Sequence, residues 1–371
     1  MYLKKIHFLW FMALILACAR PKPPLISPKE NPSYHYLQGM RLIEQNKIIE
    51  AENHFDHALY LNKDYSPAFS GKALVLVIRG NTKKSLVYLK KAKRKARNNT
   101  QKFIYHLTAI RVYTRGGFNG WLDKAERHYK DAISLKGLRE LPYYQTYFAA
   151  HYFMGVAYYK GYKFKKAKEI LIKINSGKWY DKANSLYKKI QRIVRVCDQY
   201  LLSDLDKKIL VKDQITRADL AVLLVDELHL NRLLSSKLLD FTPVDALGHP
   251  FEEEIVTVAR WNIKGLQAKY DPNLQAYLFR PQSFIKRKEL AIILEGLLMR
   301  LKLNKNKDYF NIEESPFPDV PIDTSWFNAV MDVIAKGLMR IDPSGAFRPE
   351  DNVDGIEAIL ALMKLKDMIN K

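Results

Sequence analysis

The sequence predicts an all-α protein in two parts: a helical solenoid followed by a helical bundle of three pseudo-repeats. Three observations carry this expectation. Between Ser33 and Tyr200 small residues recur at helical spacing; Gly39, Ala51, Phe55 and Ala58 are followed 34 residues later by Ala73, Ser85, Leu89 and Ala92. Further on, an aromatic-Pro anchor twice stands 8 residues before a helix start, Phe279-Arg280-Pro281 before Arg287 and Phe347-Arg348-Pro349 before Gly355. The charge divides along the same line, with 33 Lys/Arg against 12 Asp/Glu in residues 33–200 and 23 against 26 in residues 201–371. The positive field of this +22 chain therefore belongs to one half.

At the N-terminus, Lys4-Lys5 precede an apolar run from Ile6 to Ala17 that ends at Cys18. About 12 apolar residues is short of the ~20 needed to span a bilayer, and the pattern is that of a secretory signal. Ile15-Leu16-Ala17-Cys18 resembles the bacterial lipobox, which implies a signal peptide over 1–17 and a lipid on Cys18. By resemblance to enterobacterial lipoprotein sorting, Ala19 in place of Asp implies the outer membrane. Residues 18–32 hold Pro21, Pro23, Pro24, Pro28 and Pro32 and read as an extended tether. Cys18 and Cys197 are the two cysteines, so no disulfide framework is expected.

Residues 33–200 continue the small-residue pattern with Ala125, Tyr129 and Ala132, then Gly155, Tyr158, Ala167 and Leu171. Small residues suit the close crossing of two helices, and the aromatic fills the gap between them. This series resembles the tetratricopeptide (TPR) repeat, with Gly39, Ala51, Phe55, Ala58, Gly155 and Ala167 as structural signature positions. The third set carries an insertion near Gly116 to Gly120, and Lys182 to Val194 is expected to cap the last apolar face. The resemblance implies a concave groove for a protein partner. Tyr143, Tyr144, Tyr147, Tyr152, Tyr158 and Tyr159 are candidate groove residues against a default role in packing. Lys83-Lys84 and the run from Lys90 to Arg97 read as a solvated cationic face, more suited to anionic lipid or an acidic envelope polymer than to nucleic acid. His54 and His57 share a helix face three residues apart, but no further ligand converges in sequence; a surface pair, with no metal, is expected.

In residues 201–371, Phe317-Pro318-Asp319-Val320 is followed by Trp326, an apolar helix to Leu338, the turn Asp342 to Gly345, Phe347-Arg348-Pro349 and a helix from Ile356. This order resembles the S-layer homology (SLH) module, a cell-envelope anchoring unit. Ile285-Lys286-Arg287-Lys288-Glu289 and Ile215-Thr216-Arg217-Ala218-Asp219 resemble the family's Ile-Thr-Arg-Ala-Glu motif, which places copies at about 201–230, 240–302 and 316–366. Copy two carries an insertion around Gln267 to Ala276, and Pro243 stands where Asp319 stands in copy three. In copy one, Ile209 takes the place of the Phe. The resemblance implies three modules around a pseudo-threefold axis, with charged glycans held in the grooves between them. Arg217, Arg287, Asp319, Trp326 and Arg348 are the implied glycan contacts; the alternative is that the two motif arginines only brace the bundle. Gly355 puts no side chain where the other copies place a guanidinium.

No enzyme signature and no cofactor motif appears. The expectation is a lipid-anchored envelope protein, facing the periplasm from the outer membrane, with a TPR scaffold for a protein partner. Its SLH-like module would attach to peptidoglycan or an associated cell-wall polymer. The alternative is an accessory factor for outer-membrane assembly or secretion, in which the TPR groove binds a protein and the SLH-like part is a degenerate docking domain.

Overall fold

A computed structural model describes residues 30–138, 146–229, 239–303 and 313–370. The signal peptide, Cys18, most of the tether, Tyr143 and Tyr144 lie outside the described residues. Among those residues the chain is all-α, with fifteen α-helices and one two-stranded hairpin. It forms two compact units, to Tyr187 and from Lys188.

The first unit pairs α1 (Pro32–Glu44) with α2 (Ile48–Leu61), and α3 (Ser66–Ile78) with α4 (Thr82–Lys95). It then pairs α5 (Asn99–Gly116) with α6 (Trp121–Ser134), and α7 (Thr146–Lys160) with α8 (Phe164–Leu171). Side-chain amides start three of them: Asn31, Asn81 and Asn98 accept from the backbone N–H of Tyr34, Lys84 and Gln101. The small residues act where the sequence places them. A Cβ on Gly39 would lie 2.5 Å from Cε1 of Phe55, and one on Gly71 would strike the same ring from the next pair. A Cβ on Gly155 would lie 2.5 Å from Leu171. Ala51, Phe55, Ala58 and Ala167 are fully buried. The insertion resolves as a longer α5 followed by a link in which Gly117 and Gly120 both take left-handed φ, +61° and +63°. Lys83, Lys84, Lys90, Lys93 and Arg94 are exposed on α4, whose buried face is Ser85, Leu89 and Ala92.

The boundary between units falls inside α9 (Tyr180–Gln199), upstream of the expected break at residue 200. The second half of this helix is tied by charge to the C-terminal unit: Lys189 Nζ lies 2.5 Å from Asp213, and Arg192 lies 3.0 Å from Asp354.

The second unit contains α10 (Asp204–Leu210), α11 (Arg217–Asp226), α12 (Glu252–Trp261), α13 (Arg287–Arg300), α14 (Phe327–Ala335) and α15 (Gly355–Ile369). Its centre is a closed backbone ring. Ile285 N–H donates to Ile215 C=O (3.1 Å), Val353 N–H to Ile285 C=O (2.8 Å), and Ile215 N–H to Val353 C=O (2.9 Å). All three side chains are fully buried. Each residue stands two positions before a helix start, so the ring holds α11, α13 and α15 around one pseudo-threefold axis. The insertion in copy two is the antiparallel hairpin β1 (Lys269–Asp271) and β2 (Ala276–Leu278), registered Lys269 to Leu278. Period-based reading missed these strands because each is three residues long.

Gly355 has a steric cause. Its N–H donates to Lys212 C=O (3.0 Å), and a Cβ there would fall well inside contact with the carbonyl oxygen of Ile209. The end of α10 fills the space that a side chain would need. Gly→Ala in an open helix gains up to about 1 kcal/mol. Here the sign reverses: Gly355→Ala is expected to cost about 2–3 kcal/mol by overpacking against backbone, read as a lower urea midpoint with unchanged slope.

Candidate functional site

Two arginines occupy equivalent places. Arg217 Nε donates to Phe279 C=O (2.7 Å), its guanidinium lies 4.7 Å from the centroid of that ring, and its terminal nitrogens donate to Gly265 and Gln267 carbonyls. Arg287 Nε donates to Phe347 C=O (2.7 Å), its guanidinium lies 4.8 Å from that centroid, and it donates to Arg340 C=O and to the Glu357 carboxylate. Each arginine therefore reaches from the helix of one copy to the aromatic anchor of the next. Arg287 is buried and Arg217 half-buried, and burial lowers the pKa of Arg217. The geometry gives both the bracing role, with at least three donors of each already engaged by protein acceptors.

The helix starts are built alike. Thr216 Oγ1 accepts from Asp219 N–H (3.2 Å) while the Asp219 carboxylate accepts from Thr216 N–H (2.9 Å) and from Lys212 Nζ (2.6 Å). In copy two, Glu289 accepts from Lys286 N–H (2.9 Å). In copy three, Asp354 caps α15 by accepting from Glu357 N–H (2.7 Å).

Asp319 is also structural. Its two carboxylate oxygens accept from the N–H of Phe347 (2.8 Å) and of Arg348 (2.6 Å). Copy two has the same clamp, made by Asp245: it accepts from Phe279 N–H (2.8 Å) and Arg280 N–H (2.7 Å). Asp245, not the position of Pro243, is the counterpart of Asp319. It lies in a 3-10 turn (Val244–Ala246), and the hairpin lengthens the interval to the anchor from 28 residues to 34. The clamp holds Arg280 and Arg348 at φ +58°, a left-handed conformation rare for a residue with a side chain. Trp326 is half-buried and precedes α14.

Beside each arginine–anchor pair is a cavity. The first, about 130 Å³, is lined by Arg217, Phe279, Arg280, Glu289 and the hairpin residues Lys269 and Leu278. The second is larger, about 680 Å³, and its lining includes Arg287, Arg348 and Glu357. It also gathers Arg192 and Arg195 from α9, Arg340 from the loop after α14, and Lys364 from α15. Six cationic side chains thus face four carboxylates, Asp213, Asp351, Asp354 and Glu357. Arg192, Arg195, Arg340 and Arg348 are exposed. Burial raises the pKa of Glu357, against the opposing pull of Arg287, and burial lowers that of Lys364. An anionic ligand entering this groove meets exposed guanidiniums on several sides in a half that is otherwise slightly acidic. The sequence did not point to Arg192, Arg195, Arg340 or Lys364; two of them stand outside the pseudo-repeats altogether.

The S-layer homology domain family matches residues 316–359. No curated protein and no solved structure matches the chain. The family match covers copy three; the backbone ring and the two arginine braces join residues 215–217 and 285–287 to it.

The paired clamps predict paired losses. Asp245→Ala and Asp319→Ala each leave one partly buried and one exposed backbone N–H without their charged acceptor. Each is expected to cost about 2–4 kcal/mol, to a similar extent, in a chemical melt of the full chain. A large cost at Asp319 with none at Asp245 would deny their equivalence.

Proposed function

We propose that the C-terminal unit attaches this protein to an anionic polymer of the cell wall through the larger groove, with Arg192, Arg195, Arg340 and Arg348 as the ligand contacts. The convergence of these exposed guanidiniums on one cavity of about 680 Å³ carries the reading. The family match at residues 316–359 supports association with the cell envelope. Arg217 and Arg287 act in this reading as positioning residues, since their donors serve the neighbouring copy. The first unit serves as a TPR-like scaffold for a protein partner, and a lipid on Cys18 ties the chain to the membrane. The first unit's positive charge, concentrated on faces such as that of α4, favours an anionic surface nearby.

Sedimentation with purified cell wall tests the attachment. The full chain is expected to sediment with wall at 0.1 M salt and to be released toward 1 M, as the screening length falls from about 10 Å to about 3 Å. Arg340→Ala/Arg348→Ala should weaken binding by about tenfold or more without lowering stability. Wall stripped of its accessory anionic polymer distinguishes that polymer from peptidoglycan itself. Unchanged sedimentation of the double variant would remove the groove from the account, and recovery only with membrane proteins would favour the accessory-factor reading.

A further inference from the structure

The seam between α5 and α6 gathers three metal-ligating side chains. His106 stands on α5; His128 and Asp131 stand three residues apart on one face of α6. His106 Nδ1 lies 3.0 Å from His128 Nδ1 and 3.6 Å from an Asp131 carboxylate oxygen. The three ligand atoms lie within 4.8 Å of one another. A tetrahedral zinc ion with bonds of about 2.0–2.1 Å holds its ligand atoms about 3.3 Å apart, and the two separations from His106, 3.0 and 3.6 Å, bracket that value.

The surroundings suit such an ion. The imidazoles are half-buried and Asp131 is exposed, which leaves one side of the cluster open to water. Tyr113 stacks on His128 at 5.6 Å and 17°, and Tyr105 meets both imidazoles edge-on, so ring orientations are set by packing. Burial lowers the pKa of His106, and burial lowers that of His128 to about 4. For both Nδ1 atoms to ligate, each ring must carry its proton on Nε2. Lys93 and Arg127 act against a cation here, and the Asp131 carboxylate opposes them.

The arrangement recurs at the α1–α2 seam. His35 on α1 lies 2.9 Å from His54 on α2, nitrogen to nitrogen, and its ring centroid lies 4.2 Å from that of His57. The local sequences correspond: His54-Phe55-Asp56-His57-Ala58 and His128-Tyr129-Lys130-Asp131-Ala132. A third imidazole, His35 on the preceding helix, stands beside His54 and His57. Among the described residues, three ligand atoms converge within 4.8 Å in the His106 group.

We propose that His106, His128 and Asp131 bind a divalent transition-metal ion of the zinc class, with the fourth position open to water. The choice of metal follows from two imidazoles and one carboxylate, a donor set that favours zinc over calcium or magnesium.

The test is Zn²⁺ titration of the chelator-treated full chain against a chromogenic competitor at neutral pH. Co²⁺ absorption serves as a second readout of a four-coordinate site. At least one equivalent of zinc is expected to bind at micromolar concentration or below. Loss of a second-shell partner alone costs about 10–100-fold in affinity, so His128→Gln and Asp131→Asn should each weaken one equivalent by about tenfold or more and bleach the Co²⁺ bands. His54→Gln should leave that equivalent in place. Asp131 is exposed, so its variant decides the matter if His128→Gln loses helicity. No binding below about 100 μM, an affinity that would supply only about 5.5 kcal/mol, overturns the proposal. Wild-type affinity in both variants, or in Asp131→Asn alone, overturns it as well.

Discussion

Three backbone hydrogen bonds at the centre of the C-terminal unit govern the rest of its architecture. Ile215, Ile285 and Val353 each donate to one neighbour and accept from the other, so the ring closes with no unpaired member. Their side chains fill the axis, and water does not compete for the bonds. Each ring residue sits two positions before a helix, which fixes where α11, α13 and α15 begin. From that starting point the motif arginine of one copy reaches the Phe carbonyl of the next, and the first-turn acid closes its own helix start.

The ring is threefold in backbone but not in side chains. Where copies one and two meet, and where two and three meet, an arginine braces a phenylalanine. Where three meets one, Ile209 replaces the phenylalanine and its carbonyl takes the space, so only glycine fits at 355. The two braced junctions then diverge again. The hairpin of copy two contributes Lys269 and Leu278 to the first cavity, while the shorter turn of copy three leaves the second broad. The cations of α9 border that second groove, which brings a helix outside the pseudo-repeats into the candidate site.

The sequence showed most of this architecture and less of its chemistry. The interval of 8 residues from anchor to helix start was legible because no insertion falls within it. The pairing of Gly39 with Phe55 was legible because the contact is set by helix crossing. Asp245 was missed because a hairpin lengthens the interval to its anchor. Arg217 and Arg287 stood out as conspicuous charges, but the direction of a side chain is a property of packing: each turns inward onto an aromatic ring and carbonyls. Arg192 and Arg340 reach one groove from segments far apart in sequence, and His106 meets His128 across 22 residues, so neither arrangement has a local motif.

Amide hydrogen exchange at Ile215, Ile285 and Val353 tests the central claim most directly. If the ring is the common support of all three copies, its amides are released only when the unit as a whole opens. The three protons should then report one opening free energy, the largest in the unit, which falls in step with global stability as denaturant is added. Exchange of any one of them through a separate, faster local opening would contradict the account, because that copy would be held by something other than the ring.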